Sequence, residues 1–282
     1  MDANDVLQAE LRRDGIDDLR QLGPSEIVEL GLRYAIWLPV ATYVSSPWLA
    51  PFAVRRVRVR ADVRVSGPPR DLWGFPDERG RFSDDNSLIK GMIRSQHVSG
   101  PHSPYGAGRL RNGLVCCHIW PKTTSDRLLF SFVPNLVWLP RSLASYSDAH
   151  FVHQDAHLLH HVLRAAARCR FGHLRTATGH DDVEQAWNRL ASDSARLEYA
   201  SSEFNEVADG TRISTSAHRR THRFAAFLDE LAAGSIPEKR FSRRYHAGRG
   251  RGIDPTLPAV QDAVAEDHLR SLSVELRRTM HG

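Results

Sequence analysis

The sequence predicts an α+β fold, and three stretches carry that expectation. Residues 57–65 alternate Val57, Val59, Ala61, Val63 and Val65 with Arg58, Arg60, Asp62 and Arg64, the period of two that gives a strand one apolar and one polar face. Residues 113–118 and 136–139 read as two further strands, separated by a turn-rich loop and followed by a helix opening after Pro140. The middle of the chain is therefore a small ββα unit. At both ends, apolar residues recur at helical spacing instead.

Composition bounds the class. With 282 residues, 41% of them hydrophobic, the chain can build one large core or two small ones and is not a disordered polymer. Its net charge of +5 fits a polyanionic partner. Three cysteines, Cys116, Cys117 and Cys169, argue against a disulfide framework and for a reducing, cytoplasmic compartment. The opening MDANDVLQAELRRDG places acidic groups ahead of any apolar run, so no signal peptide is expected. The longest apolar window, 34–43, is broken by Pro39 and is too short to span a bilayer, so no membrane partner is expected.

Taken in order, residues 4–13 and 24–44 read as helices, the second starting at Pro24-Ser25-Glu26 with Ile27, Leu30, Ala35 and Leu38 at roughly helical spacing. The alternating strand comes next, with five arginines against one aspartate between Val54 and Val65. Arg56, Arg58, Arg60 and Arg64 form either a track for DNA phosphates, which guanidinium groups bind through paired hydrogen bonds, or the solvated face of an edge strand. Residues 1–66 make up this helical lead-in and Arg-rich strand. From 67 to 106 the composition turns to Gly, Pro, Ser and Asp, which predicts loop with one short helix at 87–93. Asp84 or Asp85 would cap that helix or serve as metal ligands.

The ββα unit closes a middle segment, 67–165, that also holds His150, His153, His157, His160 and His161. The first four share one side of a helix, and His153 with His157 has the spacing of paired metal ligands. No zinc-protease signature is present, because Gln154 stands in the place of its Glu. The alternative is a polar helix face beside an apolar stripe of Leu158, Leu159, Val162 and Leu163. Residues 166–282 read as a helical domain. Asp182 would cap a long helix whose stripe is Val183, Ala186, Trp187, Leu190, Leu197, Phe204 and Val207, and further helices are expected at 216–233 and 257–280. Between the last two lies a basic linker, 239–251, with Lys239, Arg240, Arg243, Arg244, Arg249 and Arg251 and no acid. It is either a DNA-backbone contact in which Phe241 and Tyr245 stack on bases or a flexible spacer.

The order Cys117-His118-Ile119-Trp120-Pro121, then Asn135-Leu136-Val137, then a helix, resembles the ββα-metal core of HNH-type (His-Me finger) endonucleases. The runs DLWG (71–74) and DDNSLIK (84–90) ahead of it resemble a stretch found in restriction enzymes of that type. The resemblance implies a ββα-metal finger in which His118 is the general base that activates water. Asn135 would orient that imidazole through a hydrogen bond, and Mg2+ or Mn2+ would sit at the scissile phosphate. The metal ligands it implies are His118 with Asp148, His150 and His153, or carboxylates from Asp84 and Asp85. Cys117 stands where the family carries an Asp ligand, and Ser142, Ala144 and Ser145 stand where it carries a helical His or Asn. The chemistry is sound on general grounds, since an imidazole titrates near neutral pH and a cation neutralises charge at a leaving oxygen.

The expected function is therefore metal-dependent hydrolysis of double-stranded DNA by a restriction-type endonuclease, acting as a homodimer on both strands. A different class is a non-catalytic DNA-binding protein that keeps the ββα shape without the metal, which Cys117 favours. A third is a zinc site made from Cys117, His118 and downstream histidines.

Overall fold

The computed structural model describes residues 2–49, 53–55, 82–84, 98–100, 103–106, 112–126, 128–147, 154–190 and 204–207, with Ile89 and isolated positions between 225 and 277. The content is mixed, helices with two small sheets. The chain divides into two units: one from 1–47, 92–123 and 132–214, the other from 48–91, 124–131 and 215–282.

The first unit is built on a five-stranded sheet. Strands β5 (Leu114–His118) and β6 (Leu136–Pro140) form an antiparallel hairpin with Leu114 opposite Pro140 and His118 opposite Leu136. Next to β6 lies β1 (Ile36–Trp37), antiparallel to it, and β1 is parallel to β7 (Asn205–Val207). Strand β4 (Val98–Ser99) completes the order β4-β7-β1-β6-β5. Every residue of β6 is buried, as expected for an interior strand covered on both faces.

Helix α1 (Ala3–Arg13) forms as expected, capped by the Asp2 carboxylate, which accepts from the Asn4 and Asp5 amides. The expected helix at 24–44 does not run through. Helix α2 (Pro24–Tyr34) stops where Ala35 turns extended, at φ −66 and ψ 133, β1 follows, and α3 (Val40–Ser45) begins after Pro39. Ile36 and Trp37 are wholly buried, and a short strand buried on both faces shows no alternation, so an apolar run of this length mimics helix. Similarly, β4 and β3 (Phe82–Asp84) lie in a stretch that composition alone marks as loop, and Asp84 ends a strand. Of the short helix expected at 87–93, only Ile89 falls within the described residues, where it is helical.

The long helix α5 (Gln154–Phe171) follows α4 (Arg141–Ala144). Its apolar stripe is narrower than expected: Leu159 and Leu163 are buried, whereas Leu158 is 42% exposed. Helix α6 (Asp181–Arg189) is also shorter, because Leu190 turns extended and residues 205–207 join the sheet as β7. A buried arginine, Arg170, ties these parts together: it pairs with Glu206 of β7 and donates to the Leu38 carbonyl at 3.3 Å. Burial lowers its pKa and the Glu206 carboxylate opposes that shift. The core around it is aromatic. Trp187 meets Trp120 and Phe132 edge-on at 6.3 and 5.6 Å, and its indole N–H donates to the Tyr43 hydroxyl at 2.9 Å.

The start of the hairpin is fixed to the start of α1. Ala3 donates to the Asn112 carbonyl at 3.0 Å, and Gly113 turns there with φ +83. A Cβ at this glycine would stand 2.0 Å from the Asp2 carboxylate and 2.7 Å from the Asn4 nitrogen. Gly113→Ala is therefore expected to lower stability by about 2–3 kcal/mol, from left-handed strain plus displacement of the α1 cap. Urea unfolding measures it, and a loss under about 0.5 kcal/mol would mean the α1 contact yields freely.

In the second unit, β2 (Ala53–Arg55) pairs in parallel with β3, Ala53 opposite Phe82. Trp48 donates its indole N–H to the Leu128 carbonyl at 2.8 Å. Helical residues Ala225 and Ser273 are joined by a 2.9 Å hydrogen bond, and Asp229 pairs with Arg277. No helix among the described residues is long and apolar enough to cross a membrane.

Candidate functional site

His118 is the last residue of β5 and is half-buried. Alternation along the strand puts it on the same face as Cys116 and on the opposite face from Cys117. The segment that follows it is held atom by atom. Ile119 donates its N–H to the Asn135 carbonyl at 3.0 Å, which carries the hairpin ladder one step past the strand end. Trp120 donates its N–H to Asn135 Oδ1 at 3.0 Å, and Asn135 Nδ2 donates to Thr123 Oγ1 at 2.9 Å. The Thr123 hydroxyl in turn donates to the Trp120 carbonyl at 2.7 Å. Lys122 between them sits at φ 60, a conformation that a non-glycine residue keeps only where its surroundings fix it.

Asn135 is 0% exposed and ends a 3-10 turn, Val133–Asn135, just before β6. The sequence places it beside an apolar strand, and the structure agrees. Its main chain and carboxamide hold Ile119, Trp120 and Thr123, so Asn135 fixes the main chain on the C-terminal side of His118. From the other direction comes α5. His160 Nδ1 lies 2.9 Å and Arg164 Nε 2.8 Å from the Ile119 carbonyl. Arg168 lies over the Trp120 and Trp187 rings at 5.7 and 5.6 Å. Sequence reasoning singled out His160 only as one member of a histidine run. The signal for an inward role was its place beside Leu159 and three residues before Leu163, both buried.

Cys117 is buried at 8% exposure, and its Sγ donates to the Val115 carbonyl at 3.6 Å. By strand alternation the thiol lies on the face of β5 opposite His118. Among the described residues no three His, Cys, Asp or Glu groups come together to hold a metal ion. A magnesium shell takes several carboxylate or carbonyl oxygens, and no such set of side chains comes together among the described residues. The expected ligands Asp148, His150 and His153 lie outside the described residues, as does Asp85. So do the arginines expected to face DNA, Arg56, Arg58, Arg60 and Arg64, and the linker residues Lys239, Arg240, Arg243, Arg244, Arg249 and Arg251. His161 is exposed on α5.

Neither family models, nor curated proteins, nor solved structures give a match to this chain. What the arrangement can do chemically is hold one imidazole at a hairpin end on a main chain fixed from two sides, the condition a general base needs.

Proposed function

We propose that the chain is a DNA endonuclease of HNH-like, restriction type in which His118 is the general base. The observation that supports this is the hairpin end: an imidazole leaving β5 into a loop whose next two residues are pinned by the carbonyl and carboxamide of Asn135. In the reaction, His118 takes a proton from a water whose oxygen forms a bond to phosphorus, and the bond from phosphorus to the leaving oxygen breaks. An imidazole nitrogen that takes this proton cannot at the same time hold a cation, so a ligand role for His118 would fall to its other ring nitrogen. Mg2+ or Mn2+, the cofactor of this reading, would be held by Asp148, His150 and His153. Double-stranded DNA is the substrate, its phosphates met by the arginines of 56–64 and the linker 239–251, with a homodimer cutting both strands.

Incubation of the protein with supercoiled plasmid in buffer containing Mg2+ or Mn2+, beside a chelator control, tests this. Nicked or linear product that requires the ion is expected, and intact plasmid with both ions overturns the reading. The burial of Cys117 on the face away from His118 favours a second reading, a DNA-binding protein without cleavage. That protein would retard a labelled duplex in a gel and leave it whole.

A further inference from the structure

The Ile119 carbonyl is met by two donors at once. His160 and Arg164 come from α5, 41 and 45 residues further along the chain, at 2.9 and 2.8 Å. A carbonyl oxygen only accepts, so the proton of the His160 ring is on Nδ1. With both donors in place, the two lone pairs of that oxygen are used. The peptide between Ile119 and Trp120 is then held at both ends, since its N–H already bonds Asn135 Oδ1. The peptide before it is held through Ile119 N–H and the Asn135 carbonyl.

The donors come from a rigid element. His160, Arg164 and Arg168 follow at intervals of four, one stripe along α5, and the stripe ends on the Trp120 ring. Further along, Arg170 anchors the same helix through Glu206 and the Leu38 carbonyl, and Phe171 packs against Trp37 and Tyr43. A core position could be filled by leucine, as Leu159 and Leu163 fill theirs. An imidazole, 3% exposed, is kept there instead, and burial of such a group without a hydrogen bond is costly. Its bond goes to the residue that directly follows His118.

Resting on the endonuclease reading, we propose that His160 and Arg164 are positioning residues that set the orientation of the His118 imidazole by clamping the Ile119 carbonyl from α5. Neither needs to touch DNA. Their effect falls on the alignment of the base with its water, which belongs to kcat, and not on the affinity for DNA.

The test compares wild type with H160N and H160L. Asparagine places Nδ2 at the same distance from Cβ as the imidazole Nδ1, whereas leucine fills the site without a donor. H160N is expected to keep kcat close to wild type, and H160L to lose about tenfold to a hundredfold in kcat with KM for plasmid unchanged. A second readout is independent of turnover: the His118 ring Cε1–Hε1 resonance in 1H–13C spectra should move in H160L and stay in place in H160N. If the ring resonance is the same in all three proteins, the clamp is overturned, whether or not DNA is cut. If it moves in H160L while wild type leaves plasmid intact, the clamp stands and the endonuclease reading fails. Should H160L not fold, R164M removes the second donor from a half-buried position and is read in the same two ways.

Discussion

His118→Ala is expected to abolish plasmid cleavage while leaving the fold in place. The reason is the division of labour at the hairpin end. The main chain of residues 118–120 is fixed by Asn135 and by α5, so removal of the half-buried imidazole takes away the proposed base without loosening what carries it. Loss of a general base costs roughly 10²–10⁴ in rate. The change in stability should stay within about 1 kcal/mol, because His118 is only half-buried. Quantified nicking, together with a urea unfolding curve and a duplex-retardation gel, separates these effects. Unchanged cleavage by a folded variant would move the base to another residue.

Asn135→Leu should produce the largest loss of stability, about 2–4 kcal/mol. The carboxamide is fully buried, and both of its ends are used, on the Trp120 amide and the Thr123 hydroxyl. Leucine of similar size removes both bonds and leaves the Trp120 N–H without its acceptor in the interior. Thr123→Val, which removes the hydroxyl alone, should cost about 1 kcal/mol. Combined, the two changes should be less harmful than their separate costs suggest, by about 1 kcal/mol, because they act on one network. Strict additivity in urea unfolding would show that Thr123 and Asn135 act separately. Cleavage by the folded fraction of Asn135→Leu should also fall, since the loop that follows His118 is then free to shift.

The parts of this molecule that were legible in its sequence are those that signal locally. The helix at 4–13, Pro24 at the start of α2 and the strands on either side of the 119–135 loop all announce themselves through apolar spacing or turn residues. Strand β1 did not, because two residues buried on both faces carry no period. Helix α6 and β7 were joined into one helix since Val183, Ala186, Trp187 and Leu190 establish a helical stripe that Phe204 and Val207 continue by chance. The helix ends where Leu190 turns extended, and residues 205–207 pair with strands far away in the chain, which no local pattern records. In the site, His118 and Asn135 were legible as a pair of polar residues beside apolar strands. The link between Asn135 and the Ile119-Trp120 main chain was not, nor was the reach of His160 to Ile119, since a hydrogen bond to a backbone atom leaves no residue-type signature at the accepting end.

The position of β7 in the sheet bears on how the chain comes to be assembled. Its Asn205 pairs with Ile36, yet it lies between β1 and β4, both of which leave the ribosome much earlier. Until residue 207 has emerged, β1 has an exposed edge facing the gap and β4 has no neighbour in the ladder, although the hairpin and α5 are already complete. Closing so distant a pairing is slow compared with local contacts. The half-finished sheet thus carries an unpaired strand edge, the kind of surface that invites aggregation, and a chain that lacks Phe204–Val207 is expected to keep that edge open.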